Sequence, residues 1–224
     1  MSCEIFQKGV AFGQSYEPKS DYVILGESVP SGTTTALATA MALGYDAGDK
    51  FSSSFALNPT DIKKEVVAKA LKHISSNDGI FDRLGKVADN MLLFNTGYIL
   101  GAQNKGYKIV LAGGTQMACV LLILNSILRE MQGVIDSSTI GLVTTKWVYD
   151  DKNSDIEALL KMVDFHIDSY YCDFDFSLSD HPALKLYDQG EAKEGVGAGG
   201  ALMYGLLNGL SKEEITKKIE EFLQ

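Results

Sequence analysis

The chain is 224 residues long and 46% hydrophobic, with 22 glycines and only 4 prolines. That length fits a single domain, 1–224, with a full core. A net charge of −9 without a basic stripe excludes nucleic acid and anionic membrane as partners.

Residues 1–20 are polar, mixed and weakly patterned, and predict no element. Asp21-Tyr-Val-Ile-Leu is a short apolar run rich in β-branched and aromatic residues, and predicts a buried strand. Pro30 and Gly32 break it. Thr33, Thr34 and Thr35 follow, and Ala36-Leu-Ala-Thr-Ala-Met-Ala-Leu predicts a helix. Residues 44–55 form a Gly/Ser loop. Asn58-Pro59 opens the next helix, with Asn as N-cap, Pro at the first helical position and Asp61 in the first turn. Its buried face should carry Ile62, Val66, Ala70 and Ile74. Ser76-Asn-Asp-Gly is a turn. Ile80 to Leu84 predicts a short helix broken near Gly85, and residues 87–103 a longer one.

Tyr107-Lys-Ile-Val-Leu-Ala is the second clear strand. Gly113-Gly114-Thr115 and an apolar helix over 116–131 follow it, so strand, Gly/Thr turn and helix occur twice. Strands at 138–145 and 164–172 alternate with helices at 155–163, 181–186 and 201–209. Ser211-Lys-Glu-Glu opens the last helix as a capping box. Strands alternating with helices imply an α/β layered domain with a mainly parallel sheet.

Cys3, Cys119 and Cys172 are scattered and form no CxxC, which suggests a reducing compartment. His73, His166 and His181 show no metal spacing, so no metal and no cofactor are expected. Glu4 and Lys8 interrupt the start where a signal peptide needs an apolar stretch. Met117-Ala-Cys-Val-Leu-Leu-Ile-Leu is too short to span a bilayer. A soluble cytoplasmic protein is the expectation.

Two loops carry candidate chemistry. The first joins the 21–25 strand to its helix. It places backbone N–H groups and hydroxyls at a helix N-terminus, where the dipole favours an anion. Glu27 stands at the strand exit, on the side where parallel sheets bind ligands. The loop is not a nucleotide-hydrolase P-loop: five residues separate Gly26 and Gly32, and no Lys precedes Thr33. A plain helix cap is the alternative. The second loop is Gly195-x-Gly197-x-x-Gly200. It follows no strand, so the dinucleotide fingerprint it spells is discounted. Glu194, just before these glycines, either serves as a base toward a flat ligand or complements a helix dipole while the glycines allow close packing.

Three blocks together resemble the nicotinate-nucleotide–dimethylbenzimidazole phosphoribosyltransferases, most nearly their archaeal branch. Gly26-Glu-Ser-Val-Pro-Ser-Gly-Thr-Thr-Thr is similar to Gly-Glu-x-Gly-Ile-Gly-Asn-Thr-Thr of the bacterial enzymes. Val110-Leu-Ala-Gly-Gly-Thr-Gln-Met-Ala is similar to Val-Leu-Asp-Gly-Phe-x-x-x-Ala. Lys193-Glu-Gly-Val-Gly-Ala-Gly-Gly-Ala-Leu is similar to Gly-Glu-Gly-x-Gly-Ala-Ala-Leu. Asp61-Ile-Lys-Lys resembles the family's lysine-bearing helix. The blocks keep the family's order. Ala112 stands where the bacterial pattern has Asp, Ser31 replaces a loop glycine, and the family's N-terminal segment has no counterpart, as in a fragment or a short form.

The resemblance implies a Rossmann-like fold, a homodimer and small-molecule substrates, with phosphoribose moving from nicotinate mononucleotide to a heterocyclic base of benzimidazole type. It assigns Glu194 as general base, Glu27 as the first-loop carboxylate and Lys63 as the helix lysine. Gly32, Thr33, Thr34 and Thr35 would hold phosphate, with Gly113, Gly114, Gly195 and Gly197 lining the substrate. Two other functions stay open on the same fold: a non-catalytic nucleotide-binding or regulatory domain, and a nucleoside-type glycosylase.

Overall fold

The computed structural model describes residues 1–51, 60–191 and 197–223. Among them, β1 (Tyr22–Gly26), β2 (Lys108–Ala112), β3 (Ile140–Thr145) and β4 (Asp168–Cys172) form one parallel sheet in the order β1-β2-β3-β4. The helices are α1 (Ser2–Ser15), α2 (Gly32–Ala42), α3 (Thr60–Leu71), α4 (Ile80–Val87), α5 (Asn90–Gly101), α6 (Thr115–Met131), α7 (Lys146–Tyr149), α8 (Ile156–Leu160), α9 (Pro182–Asp188), α10 (Ala198–Leu207) and α11 (Lys212–Phe222). The α/β class and the parallel sheet expected from the sequence are the ones adopted.

Alternation along each strand divides the sheet into two faces. Val23, Leu25, Ile109, Leu111, Ile140 and Leu142 join the main core with α2, α5 and α6. The α6 run from Met117 to Leu124 is almost wholly buried there, which explains an apolar stretch with no polar stripe. On the other face lie Ile24, Val110 and Val143, beside α10. Here α10 lies very close to the strands. A Cβ at Gly199 would stand 2.3 Å from the Thr144 carbonyl carbon, and one at Gly200 2.4 Å from the Ala112 Cβ. A second cluster of Trp147, Phe174, Phe176 and Leu184 fills the space under α9, α10 and α11. Toward the amino ends of the strands the sheet stays uncovered, in a groove of about 630 Å³ beside Tyr22, Lys108, Tyr170 and Tyr204.

Several local expectations are corrected. Residues 2–15 form α1, which buries Phe6, Gly9 and Gly13 against α5. Glycines add no hydropathy, so the sequence shows no stripe. In α3, Ile62 and Val66 are 68% and 50% exposed, whereas Lys63 and Val67 are buried. The lysine stem covers apolar surface and its ammonium finds a carbonyl. The helix α4 passes through Gly85 to Val87, and Asp89 caps α5 by accepting the Leu92 N–H at 2.9 Å. The strands are shorter than 138–145 and 164–172, and α7 follows β3 without a loop. The helix predicted at 201–209 starts earlier, at Ala198, so Gly199 and Gly200 are helical. The caps proposed at Asn58 and Pro59 lie outside the described residues.

Candidate functional site

The carboxyl ends of β1 and β2 bring the first two glycine loops together, where a parallel sheet presents its crevice. Glu27 extends the strand: its N–H still bonds the Ala112 carbonyl at 3.3 Å. Its side chain turns inward and is only 3% exposed. Oε1 accepts the Gly114 N–H at 3.2 Å. Gly114 is the N-cap of α6, so the carboxylate sits at the N-terminal end of a long buried helix, whose dipole is positive there. A Cβ at Gly113 would stand 2.7 Å from the Glu27 Cδ. The first glycine of the turn is there to admit the carboxylate.

Ser31 takes the left-handed conformation, φ 58° and ψ 14°. That conformation costs an L-residue about 1–2 kcal/mol and is free for glycine, which accounts for glycine at this loop position in the pattern the sequence resembles. The helix α2 then begins at Gly32. Thr33, Thr34 and Thr35 are half-buried in its first turn, which carries N–H groups without intrahelical acceptors, as at any helix start. The need for Gly32 is steric. A Cβ there would stand 1.8 Å from Oε1 of Gln116, whose carboxamide occupies that space.

Gly197, which leads into α10, approaches from the opposite face. Gly197 is left-handed at φ 71°, and a Cβ on it would stand 2.8 Å from the Gly26 Cα. The start of α10 is thereby set against the exit of β1. Glu194 and Gly195 lie outside the described residues. The structure thus joins Glu27, Gly32, Gly113, Gly114 and Gly197 at one place. Lys63 is bonded elsewhere: its Nζ donates to the Phe51 carbonyl at 3.1 Å. It borders a cavity of about 220 Å³ whose α2 wall is Leu37, one turn beyond Thr33. Its neighbour Lys64 pairs with the exposed Asp49 at 3.6 Å.

Burial pushes the Cys119 thiol well above its ordinary range, so this cysteine beneath α2 is no nucleophile at neutral pH. Burial also raises the Asp89 carboxyl, against the opposing pull of the Leu92 N–H. Lys146, where β3 ends, is held more firmly protonated by Asp173, 3.4 Å away. Among the described residues, no three His, Cys, Asp or Glu side chains are grouped to hold a metal ion. None of their helices is long and apolar enough to cross a membrane. Sequence reasoning passed over Gln116. Its one signal is a polar residue immediately after a glycine turn, at the head of an otherwise apolar helix.

No family model matches the chain. It is similar to UPF0284 proteins of several archaea. That of Sulfurisphaera tokodaii is 40% identical over 220 residues, 98% of this chain and 60% of the relative. That of Saccharolobus solfataricus is 38% identical over 218 residues, 97% and 59% respectively. That of Sulfolobus acidocaldarius is 36% identical over 220 residues, 98% and 61%. The chain spans about 60% of the length of the curated relatives it matches. Among solved structures, CobT from Thermus thermophilus superposes with a TM-score of 0.58 at 14% identity, over 85% of this chain and 55% of that one. A nicotinate-nucleotide-dimethylbenzimidazole phosphoribosyltransferase from the same organism gives 0.56 at 14% identity, over 90% and 58%. The resemblance carried by three loops therefore extends to the fold.

Proposed function

We propose that this chain is the phosphoribosyl-binding core of a transferase that moves phosphoribose from nicotinate mononucleotide to a heterocyclic base of benzimidazole type. The observation that carries the reading is the locked Glu27 carboxylate. It stands where the loops after β1 and β2 meet, on the Gly113-Gly114 turn that starts α6.

The chemistry suits such a site. The leaving nicotinate is a pyridinium; it takes the C–N bonding pair and departs without an acid. Positive charge develops at the anomeric carbon, and a fixed carboxylate in a low-dielectric site stabilises it. Glu27 is such a group, held in place before the reaction by the Gly114 N–H. The Thr33 to Thr35 turn would hold the phosphate, with Lys63 adding charge from the α3 side. As one ring nitrogen of the acceptor attacks, the other loses its N–H proton. Glu194 would take that proton.

The reading includes a homodimer, which sedimentation velocity at micromolar concentration would detect. Activity is tested by incubating the chain with nicotinate mononucleotide and 5,6-dimethylbenzimidazole. Chromatography should show a ribosylated base phosphate that grows as nicotinate is released. Nicotinate release that ignores the added base would identify a glycosylase. Binding with no release would identify a nucleotide-binding domain.

A further inference from the structure

Gln116 stands apart from the other polar residues at the site. It is 7% exposed, and its Oε1 is fully buried and accepts no hydrogen bond among the described residues. Native proteins rarely leave a buried amide unpaired. Its place is equally specific. Gln116 lies in the first turn of α6, one residue beyond Thr115. From there its carboxamide reaches the side of Gly32, the first residue of the 11-residue helix α2. The glycine leaves the room that the carboxamide fills. An unpaired amide is thus held against a helix N-terminus that favours an anion.

We infer that Gln116 donates an amide N–H to the phosphate group of a sugar phosphate bound at the α2 N-terminus. This rests on the phosphoribosyl reading and adds to it a binding residue from the second glycine turn. The carboxamide nitrogen carries the donors and also lies against the helix start, 3.0 Å from where a Gly32 Cβ would stand, so a donor is at hand without rearrangement. The phosphate would then be held from two helices at once: by backbone N–H groups of α2 and by a side chain of α6. Glu27, bonded to the same turn through Gly114, keeps its carboxylate at the neighbouring helix start and leaves the α2 N-terminus to the phosphate.

Three variants test it: Gln116→Met, Gln116→Glu and Gly32→Ala. Affinities for inorganic phosphate and for ribose 5-phosphate are measured by calorimetry, with the melting temperature of each unliganded variant. Gln116→Met keeps the volume and removes only the unpaired amide, so the melting temperature should hold or rise. Affinity for both ligands should fall about tenfold or more, the usual scale for a hydrogen bond to a charged group. Gln116→Glu keeps the shape, places a negative charge against the anion and should abolish binding. Gly32→Ala displaces the flexible carboxamide without altering it, and should weaken both ligands while the fold holds. Undiminished phosphate affinity in folded Gln116→Met overturns the inference and leaves the phosphoribosyl reading standing. A loss confined to ribose 5-phosphate also overturns it, because the contact is then with the sugar. If the unaltered chain binds neither ligand, the phosphoribosyl reading itself fails.

Discussion

The contact between α1 and α5 rests on bare backbone. Gly9 and Gly13 on α1 face Gly97 and Gly101 on α5. A Cβ at Gly97 would stand 2.1 Å from the Phe6 carbonyl oxygen and 3.0 Å from both the Phe6 carbonyl carbon and the Val10 nitrogen. Carbon and oxygen settle no closer than about 3.3 Å, so Gly97→Ala must push α1 away by about 1 Å. No side chain can rotate to absorb this, because every atom met belongs to the backbone. Phe6 would also lose its seat against Phe81, now 5.2 Å between ring centroids. Overpacking of this kind costs about 1–3 kcal/mol, more where backbone must shift. Alanine returns at most about 1 kcal/mol of helix propensity. We expect a net loss of about 2 kcal/mol, a fall in melting temperature of about 4–8 °C for a chain of this size. Thermal unfolding followed by circular dichroism measures it. Gly48→Ala is the control: a Cβ there meets nothing within 4 Å, so that variant should match or slightly exceed the parent. A Gly97→Ala melting temperature equal to the control would refute the steric account.

Glu194→Gln should cut turnover by about 10²–10⁴-fold, the usual worth of a general base, with nicotinate mononucleotide affinity nearly unchanged; full turnover in an active preparation would make this residue a helix cap. Glu27→Gln should slow transfer and also cost about 1 kcal/mol of stability by removing charge from the α6 N-terminus, and a melt that rises instead would show the carboxylate to be an unfavourable burial. Burial raises the Asp89 carboxyl above its unfolded value, so its contribution to stability is greatest below the unfolded value near 3.9 and is lost as pH climbs through the folded one. Asp89→Asn keeps the cap and should flatten that slope, leaving a protein at least as stable at pH 7; urea midpoints at pH 3 and pH 7 check this.

How far these features are legible in the sequence depends on what each residue contributes to a pattern. Apolar, β-branched runs at Val23–Leu25 and Ile109–Leu111 announce strands because such side chains fit a pleated, packed surface. The Ser211 capping box is a local code, and it forms as read: the Glu214 N–H bonds the Ser211 Oγ at 3.1 Å. Helix α1 escaped notice because its contact face is made of glycine, visible only as a four-residue spacing repeated at Gly97 and Gly101. The face of α3 was misjudged because apolar Ile62 and Val66 are exposed while a lysine is buried. Periodicity also reads Gln116 as an interruption in a core helix, since nothing local shows the space above Gly32. Glu27 is picked out by its position: a carboxylate that leaves a strand for a glycine loop, and the structure turns it inward onto the Gly114 N–H.

The order of the chain bears on how the crevice is completed. The sheet, α2 and α6 all come from residues up to Cys172, whereas α10 follows at Ala198–Leu207. Its glycines seat on Thr144, Ala112 and Gly26, the strand ends that the Glu27 loop and the Gly113 turn already occupy. During synthesis these strand ends therefore emerge before α10, and because a domain folds as a unit the crevice closes only once α10 is also available. The docking of α10 then does two things in a single step. It covers part of a sheet face that other chains could otherwise meet, and it sets Gly197 against Gly26 at the exit of β1, so the last wall of the crevice arrives with the docking of α10.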